Sequence, residues 1–145
     1  MVTAFFYGLF LDPYILKSLN IKHKNFRIAK LQGYDLIIGE RANLKKEKTS
    51  HVWGSIMDIK EEDIKALYSA KSVNEYCPYK VECQLINGET LPAVVYLLPP
   101  EYNIKPAKDN QYAQQLLGIC KKYKLPQEHI SKIETIMEQI NANTS

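Results

Sequence analysis

The stretch Thr3-Ala4-Phe5-Phe6-Tyr7-Gly8-Leu9-Phe10-Leu11-Asp12-Pro13 combines an apolar run, a glycine at its end and a helix start a few residues later. Asp12 can cap that helix, and Pro13 suits its first turn, where the missing N–H would have no partner anyway. The chain must therefore turn sharply between a strand and a helix, and the backbone N–H groups of the turn can face a ligand. Gly8 has no side chain to hold an anionic group away, so the turn can cradle a carboxylate. The plainer reading of the same residues is a buried first strand followed by a tight turn.

At 145 residues the chain suits one domain, expected over residues 1–140, with 141–145 as a frayed polar tail. A domain of this size buries about 70% of the surface its unfolded chain exposes. A net charge of +3 is mild, and the one dense cluster, Lys45-Lys46-Glu47-Lys48, suits a solvated loop. Nucleic acid is not an expected partner, because that needs a broader basic stripe. A membrane is not expected either, since no apolar run approaches the roughly 18 residues that span a bilayer. The N-terminus lacks the pattern of a secretory signal. Cys77, Cys83 and Cys120 are odd in number and show no CxxC spacing, and His23, His51 and His129 are scattered. Free thiols, a cytoplasmic location and no metal or other cofactor are therefore expected.

Strands are predicted over Val2–Tyr7, Gly33–Gly39, Val52–Ile59, Tyr79–Leu85 and Leu91–Leu98. Asn87-Gly88 marks a hairpin between the last two. Short helices are predicted over Asp12–Leu19 and Lys60–Tyr68, the second opening on Glu61, Glu62 and Asp63, where the helix dipole favours acids. Helices over about Asn110–Lys124 and Pro126–Ile140 close the chain, with Leu116, Cys120, Ile130, Ile133, Met137 and Ile140 at helical spacing. The fold class is α+β, a small mixed β-sheet or partly closed β-barrel flanked by helices.

In that order and spacing the chain resembles the γ-glutamylcyclotransferase-like superfamily. The resemblance rests on Tyr7-Gly8-Leu9-Phe10, Gly33-Tyr34-Asp35-Leu36 and Val52-Trp53-Gly54-Ser55-Ile56. It continues through the step Leu67-Tyr68, then Tyr79-Lys80-Val81-Glu82-Cys83, Ala93-Val94-Val95-Tyr96 and the helix opening Asn110-Gln111-Tyr112. It implies a pocket that takes a γ-glutamyl group and releases 5-oxoproline and an amine. The Tyr-Gly turn would bind substrate, and a glutamate after the helix would serve as general acid and base. Here the usual Leu-Asp-x-x-Glu-Gly reads Leu67-Tyr68-Ser69-Ala70-Lys71-Ser72, without a carboxylate at the expected place. Glu75, before Tyr76-Cys77-Pro78, is the replacement in the same loop.

The site implied has Glu75 as catalytic residue and Tyr7, Gly8, Leu9, Phe10, Arg41, Tyr79 and Tyr96 as substrate-binding residues. Tyr76, Tyr79 and Tyr96 would supply an apolar surround, and Arg41 a clamp for the substrate carboxylate. The plain alternatives are a solvated Glu75, an Arg41 paired with Glu40, and an inert Cys77. The expected partner is a small-molecule γ-glutamyl substrate, acted on by a monomer or homodimer. A catalytically silent relative that keeps the pocket for binding is the alternative. A third reading is an interaction protein that uses the face bearing Ile133 and Met137.

Overall fold

The elements of the computed structural model, which describes residues 1–104 and 106–144, alternate between strands and short helices before ending in a helical pair. They are β1 (Val2–Phe6), α1 (Pro13–Ser18), β2 (Lys24–Ile38), β3 (Ala42–Ile59), α2 (Glu61–Leu67), β4 (Cys77–Leu85), β5 (Thr90–Leu97), α3 (Gln111–Lys122) and α4 (Gln127–Thr144). The five strands close into a barrel in the order β1-β3-β2-β4-β5. β1 runs antiparallel to β3 from Val2↔Ile59 to Phe6↔Ser55, and parallel to β5 at Ala4↔Val94 and Phe5↔Val95. The second seam is as short: β2 meets β4 only at Ala29↔Leu85 and Lys30↔Gln84.

Phe5, Leu31, Val52 and Ile56 are fully buried on one face of the sheet, and Met57 and Ile59 are fully buried on the other. Gly54 lets β1 and β3 approach: a Cβ there would lie 2.1 Å from the carbonyl oxygen of Phe6. Gly88 takes φ +92 in the β4–β5 turn, a left-handed conformation suited to the predicted Asn-Gly pair. Leu116, Cys120, Ile130, Ile133 and Ile140 are buried, so the helical stripes are core.

Three expectations change. β2 begins at Lys24, so a strand half occupies residues for which none is predicted; its lysines and arginine interrupt the apolar signal. The lysine cluster is not a loop. Lys45 and Lys46 pair with Asp35 and Tyr34 inside the long β2–β3 hairpin, and the register shifts at Gly33 (φ +89). The last helix continues past Ile140 to Thr144, which takes in most of the expected polar tail, while Ser145 and Lys105 lie outside the described residues.

α4 is held to the barrel by a polar cluster. Glu128 accepts from the Trp53 indole at 2.7 Å and lies 3.0 Å from His51 Nε2, and Lys132 reaches Asp35 at 2.9 Å. His129, 2% exposed, accepts the backbone N–H of Trp53 through Nδ1 at 3.5 Å. Among the described residues its buried Nε2 has no hydrogen-bond partner. Among the described residues no helix is long and apolar enough to cross a membrane.

Candidate functional site

The turn after β1 forms as the opening run predicts. Leu9–Leu11 make one 3-10 turn, closed by the Leu11 N–H on the Gly8 carbonyl at 3.0 Å. Asp12 caps α1 by accepting the Tyr14 N–H at 2.9 Å. The Asp12 carboxylate also accepts from the Tyr123 hydroxyl at 2.5 Å and meets Lys122 at 3.5 Å, which ties the turn to the end of α3.

Tyr7 is buried, and its hydroxyl donates to the Tyr96 carbonyl at 2.8 Å. Above Gly8 stands Tyr112, whose hydroxyl accepts the Leu9 N–H at 3.3 Å. One of the backbone donors expected to face a ligand is therefore already used within the protein.

A cavity of about 300 Å³ opens over this turn. Tyr7, Gly8, Leu9 and Phe10 form one side of it. The tight β2–β3 connection, with the Gly39 N–H on the Arg41 carbonyl at 3.2 Å, brings Glu40 and Arg41 to the wall. The irregular segment after α2 contributes Ser72, Val73 and Tyr76. The middle loop and the first turn thus share one hollow.

Glu75 stands at the edge of that hollow and is not one of its wall residues. Its Oε1 lies 3.0 Å from Arg41 Nη1, and the Tyr102 hydroxyl donates to its other oxygen. Tyr102 comes from the 3-10 turn Pro100–Ile104, and the Arg41 guanidinium lies 4.8 Å over its ring. The two side chains of the ion pair keep 25% and 40% exposure, so the pair is open to exchange with water or an incoming anion. Arg41 therefore pairs with Glu75 rather than Glu40.

Tyr68 and Tyr96 stack at 3.9 Å and 4°, and Phe10 meets Tyr68 edge-on at 5.9 Å. Tyr76 donates to the Ala42 carbonyl at 2.5 Å. Burial pushes the Tyr76 phenol up to about 12, opposed by Arg41 and aided by Glu75. Burial raises Tyr7, Tyr68 and Tyr112 as well, so all four phenols stay protonated near neutrality.

Two of the predicted substrate-binding residues stand elsewhere. Tyr96 lies behind the wall, where its ring supports Tyr68 and its carbonyl anchors Tyr7. Tyr79 is 50% exposed and takes no part in the wall. At Tyr79 the strand β4 pairs with Val95 on one side, while its pairing with β2 begins only at Gln84, so the ring faces water.

Tyr68, Tyr112, Tyr102 and Glu40 are not in the site implied by the sequence. The Leu67-Tyr68 step and the Asn110-Gln111-Tyr112 helix opening were the available signals. Cys77 is exposed and lies 3.8 Å from the Glu75 carbonyl, while His51 sits at Glu128, so no thiol–imidazole pair forms. Burial pushes the Cys83 and Cys120 thiols up to about 12, which keeps them protonated. Among the described residues no group of three or more His, Cys, Asp or Glu is arranged to hold a metal ion.

The fold is shared with solved structures. A gamma-glutamyl cyclotransferase aligns with TM-score 0.77 and 20% identity, over 92% of this chain and 86% of its own. An uncharacterized protein from Homo sapiens gives 0.77 and 21% over the same shares. A protein from Arabidopsis thaliana solved in solution gives 0.64 and 18% over 99% of this chain and 93% of its own. At these identities the similarity is one of fold. No curated protein matches the sequence. The family described as "Gamma-glutamyl cyclotransferase, AIG2-like" matches residues 4–115, which take in the barrel, the cavity wall and the opening of α3. The chain belongs to the gamma-glutamyl cyclotransferase, AIG2-like family.

Proposed function

We propose that this chain converts a small γ-glutamyl amine or peptide to 5-oxoproline and a free amine. The observation that carries the reading is the Arg41–Glu75 pair, 3.0 Å apart, at the edge of a hollow walled by Tyr7–Phe10. In the reaction the substrate's α-nitrogen attacks its own γ-carbonyl carbon, closing the pyrrolidone ring. The bond from that carbon to the departing nitrogen then breaks. One proton leaves the α-amine and one arrives on the leaving amine, so a single carboxylate that takes the first can deliver the second.

Glu75 fills that role. The substrate α-carboxylate competes for the Arg41 guanidinium, and the exchange frees Glu75 to accept the proton. The guanidinium geometry suits a carboxylate from either source. The turn at Gly8–Phe10 and the aromatic wall hold the glutamyl chain bent, and the nucleophile is already tethered, so positioning supplies much of the rate. The chemistry calls on no cofactor.

The test is release of 5-oxoproline from a panel of γ-glutamyl amines and peptides. Glu75→Gln should lower kcat by about 10²–10⁴-fold, the span of general acid–base contributions, with folding retained. Product formation unchanged in Glu75→Gln overturns the assignment of the base, and no product from any member of the panel overturns the activity.

A second reading, a ligand-binding relative without turnover, is favoured by one observation. Lys71 occupies the place where the resemblance expects a glutamate, and Glu75 is engaged in an ion pair. γ-Glutamyl compounds would then raise the melting temperature while no 5-oxoproline forms.

A further inference from the structure

At the start of β1, the far end of that strand from the cavity, a second hollow of about 470 Å³ opens. Its wall carries Lys17, Lys22, Lys24, Lys60 and His23, and no acid. The local fold explains why these residues converge. Lys17 sits in the last turn of α1, after which the chain reverses at Asn20 (φ +63), with the Ile21 N–H on the Leu16 carbonyl at 2.9 Å. Ile21 tucks into the core and leaves Lys22 and Lys24 exposed on either side of His23. Lys24 opens β2 opposite Asp58, near the end of β3, and Lys60 follows Ile59, the last residue of that strand.

Among the described residues none of these four ammonium groups makes a hydrogen bond or an ion pair. The acids that flank the wall in sequence do not neutralise it. Asp58 accepts from Thr3 and Asn25 at 2.7 Å each, Glu61 pairs with Lys65 at 3.3 Å, and Glu62 and Asp63 stand outside the wall on α2. Like charges gathered round one concavity focus a positive potential there, which an anion of several charges relieves. An ammonium is a point charge with three donors and lacks the planar fork by which arginine matches a carboxylate. Ammonium groups brought in by separate segments suit phosphoryl oxygens, which point in several directions, better than the two coplanar oxygens of a carboxylate. The volume falls within the span of small-molecule sites, about 300–1,000 Å³. We propose that this hollow is a second binding site, which takes a compact oligophosphate, free or carried on a nucleoside.

The test is calorimetry at low salt with pyrophosphate, ADP, orthophosphate and citrate. The proteins are the wild type, the double variant Lys22→Gln/Lys24→Gln, the single variant Lys60→Gln, and the control Lys45→Gln/Lys46→Gln. The control removes the same charge from the distant part of the β2–β3 hairpin. An exposed ion pair is worth up to about fivefold in affinity. Pyrophosphate should therefore bind about fivefold or more tightly than orthophosphate, and more tightly than citrate, which carries a similar charge. The double variant should lose about tenfold, Lys60→Gln about two- to fivefold, and the control less than about twofold, with all affinities falling as salt is raised. The substituted lysines are exposed, so the fold is retained, and thermal melting of each variant checks this.

ADP tighter than pyrophosphate supports the site with a nucleotide as its ligand, and equal or weaker binding supports it with the inorganic chain. Absence of pyrophosphate binding with Kd below about 1 mM overturns the proposal. An equal loss in the control overturns it too, because the attraction would then be one of net charge, and so does citrate binding as tightly as pyrophosphate. None of these readouts involves release of 5-oxoproline, so the outcome is independent of the cyclotransferase reading.

Discussion

The phenol oxygen of Tyr112 stands over Gly8 so closely that a Cβ on Gly8 would lie 2.5 Å from it. Gly8 has φ −104 and ψ −152, extended values open to any residue, so space and not backbone conformation demands the glycine. The same oxygen accepts the Leu9 N–H, which makes the contact a joint between α3 and the first turn.

Gly8→Ala should therefore destabilise the fold by about 1–3 kcal/mol, the usual cost of overpacking. Tyr112→Phe alone should cost about 1 kcal/mol by leaving the Leu9 N–H without its acceptor. In the double variant the two costs should sum to less than their parts, because the clashing oxygen is gone. Urea unfolding of the four proteins measures this coupling directly.

Arg41→Lys tests the clamp. A lysine keeps the charge but loses the fork that matches a carboxylate. KM for a γ-glutamyl substrate should rise by about tenfold or more, while kcat changes less. Steady-state kinetics on one substrate separate the two parameters, and a fall confined to kcat would place Arg41 outside substrate binding.

Asn43 is 1% exposed, and its amide bridges the end of β5. It donates to the Leu98 carbonyl at 3.0 Å and to Asn103 at 2.7 Å, and it accepts the Leu98 N–H at 3.0 Å. Asn43→Ala leaves those buried groups bare and should cost about 2–3 kcal/mol in denaturant unfolding. It should also loosen the turn that carries Tyr102 to Glu75, so activity should fall at temperatures where the variant is still folded.

His129 gives the fold an acid-sensitive joint. Burial, with Lys132 nearby, lowers its pKa from 6.5 to about 4 in the folded state, with Glu128 opposing and His51 adding to the fall. Between those values the unfolded chain binds the extra proton, so stability is full above pH 6.5 and declines as pH falls toward 4. The loss amounts to as much as about 3 kcal/mol. In His129→Gln the difference in unfolding free energy from wild type should shrink steadily across that window, measured by urea titration at successive pH values.

What the sequence revealed was mostly local. Asp12 as a cap, Asn87-Gly88 as a hairpin and the stripes of α3 and α4 all depend on neighbours within a turn or two. The first half of β2 escaped because charged residues on its outer face broke the apolar run. The site was half legible. Tyr7–Phe10 and Arg41 do share a hollow, but the partners of Arg41 and Leu9 lie 34 and 103 residues away, beyond the reach of any spacing rule. Tyr79 failed for a topological reason, since its exposure depends on where β2 stops pairing with β4.

The two narrow seams of the barrel have a consequence for motion. β4 and β5 hold each other along eight register pairs, from Cys77↔Leu97 to Gln84↔Thr90, yet each joins the remaining strands by only two. The hairpin is thus a leaf hung on two short hinges, and the Tyr68–Tyr96 stack acts as its latch beside the hollow. Amide protons of this leaf should exchange with solvent sooner than those along β2 and β3, and a ligand that presses Tyr68 against Tyr96 should slow them.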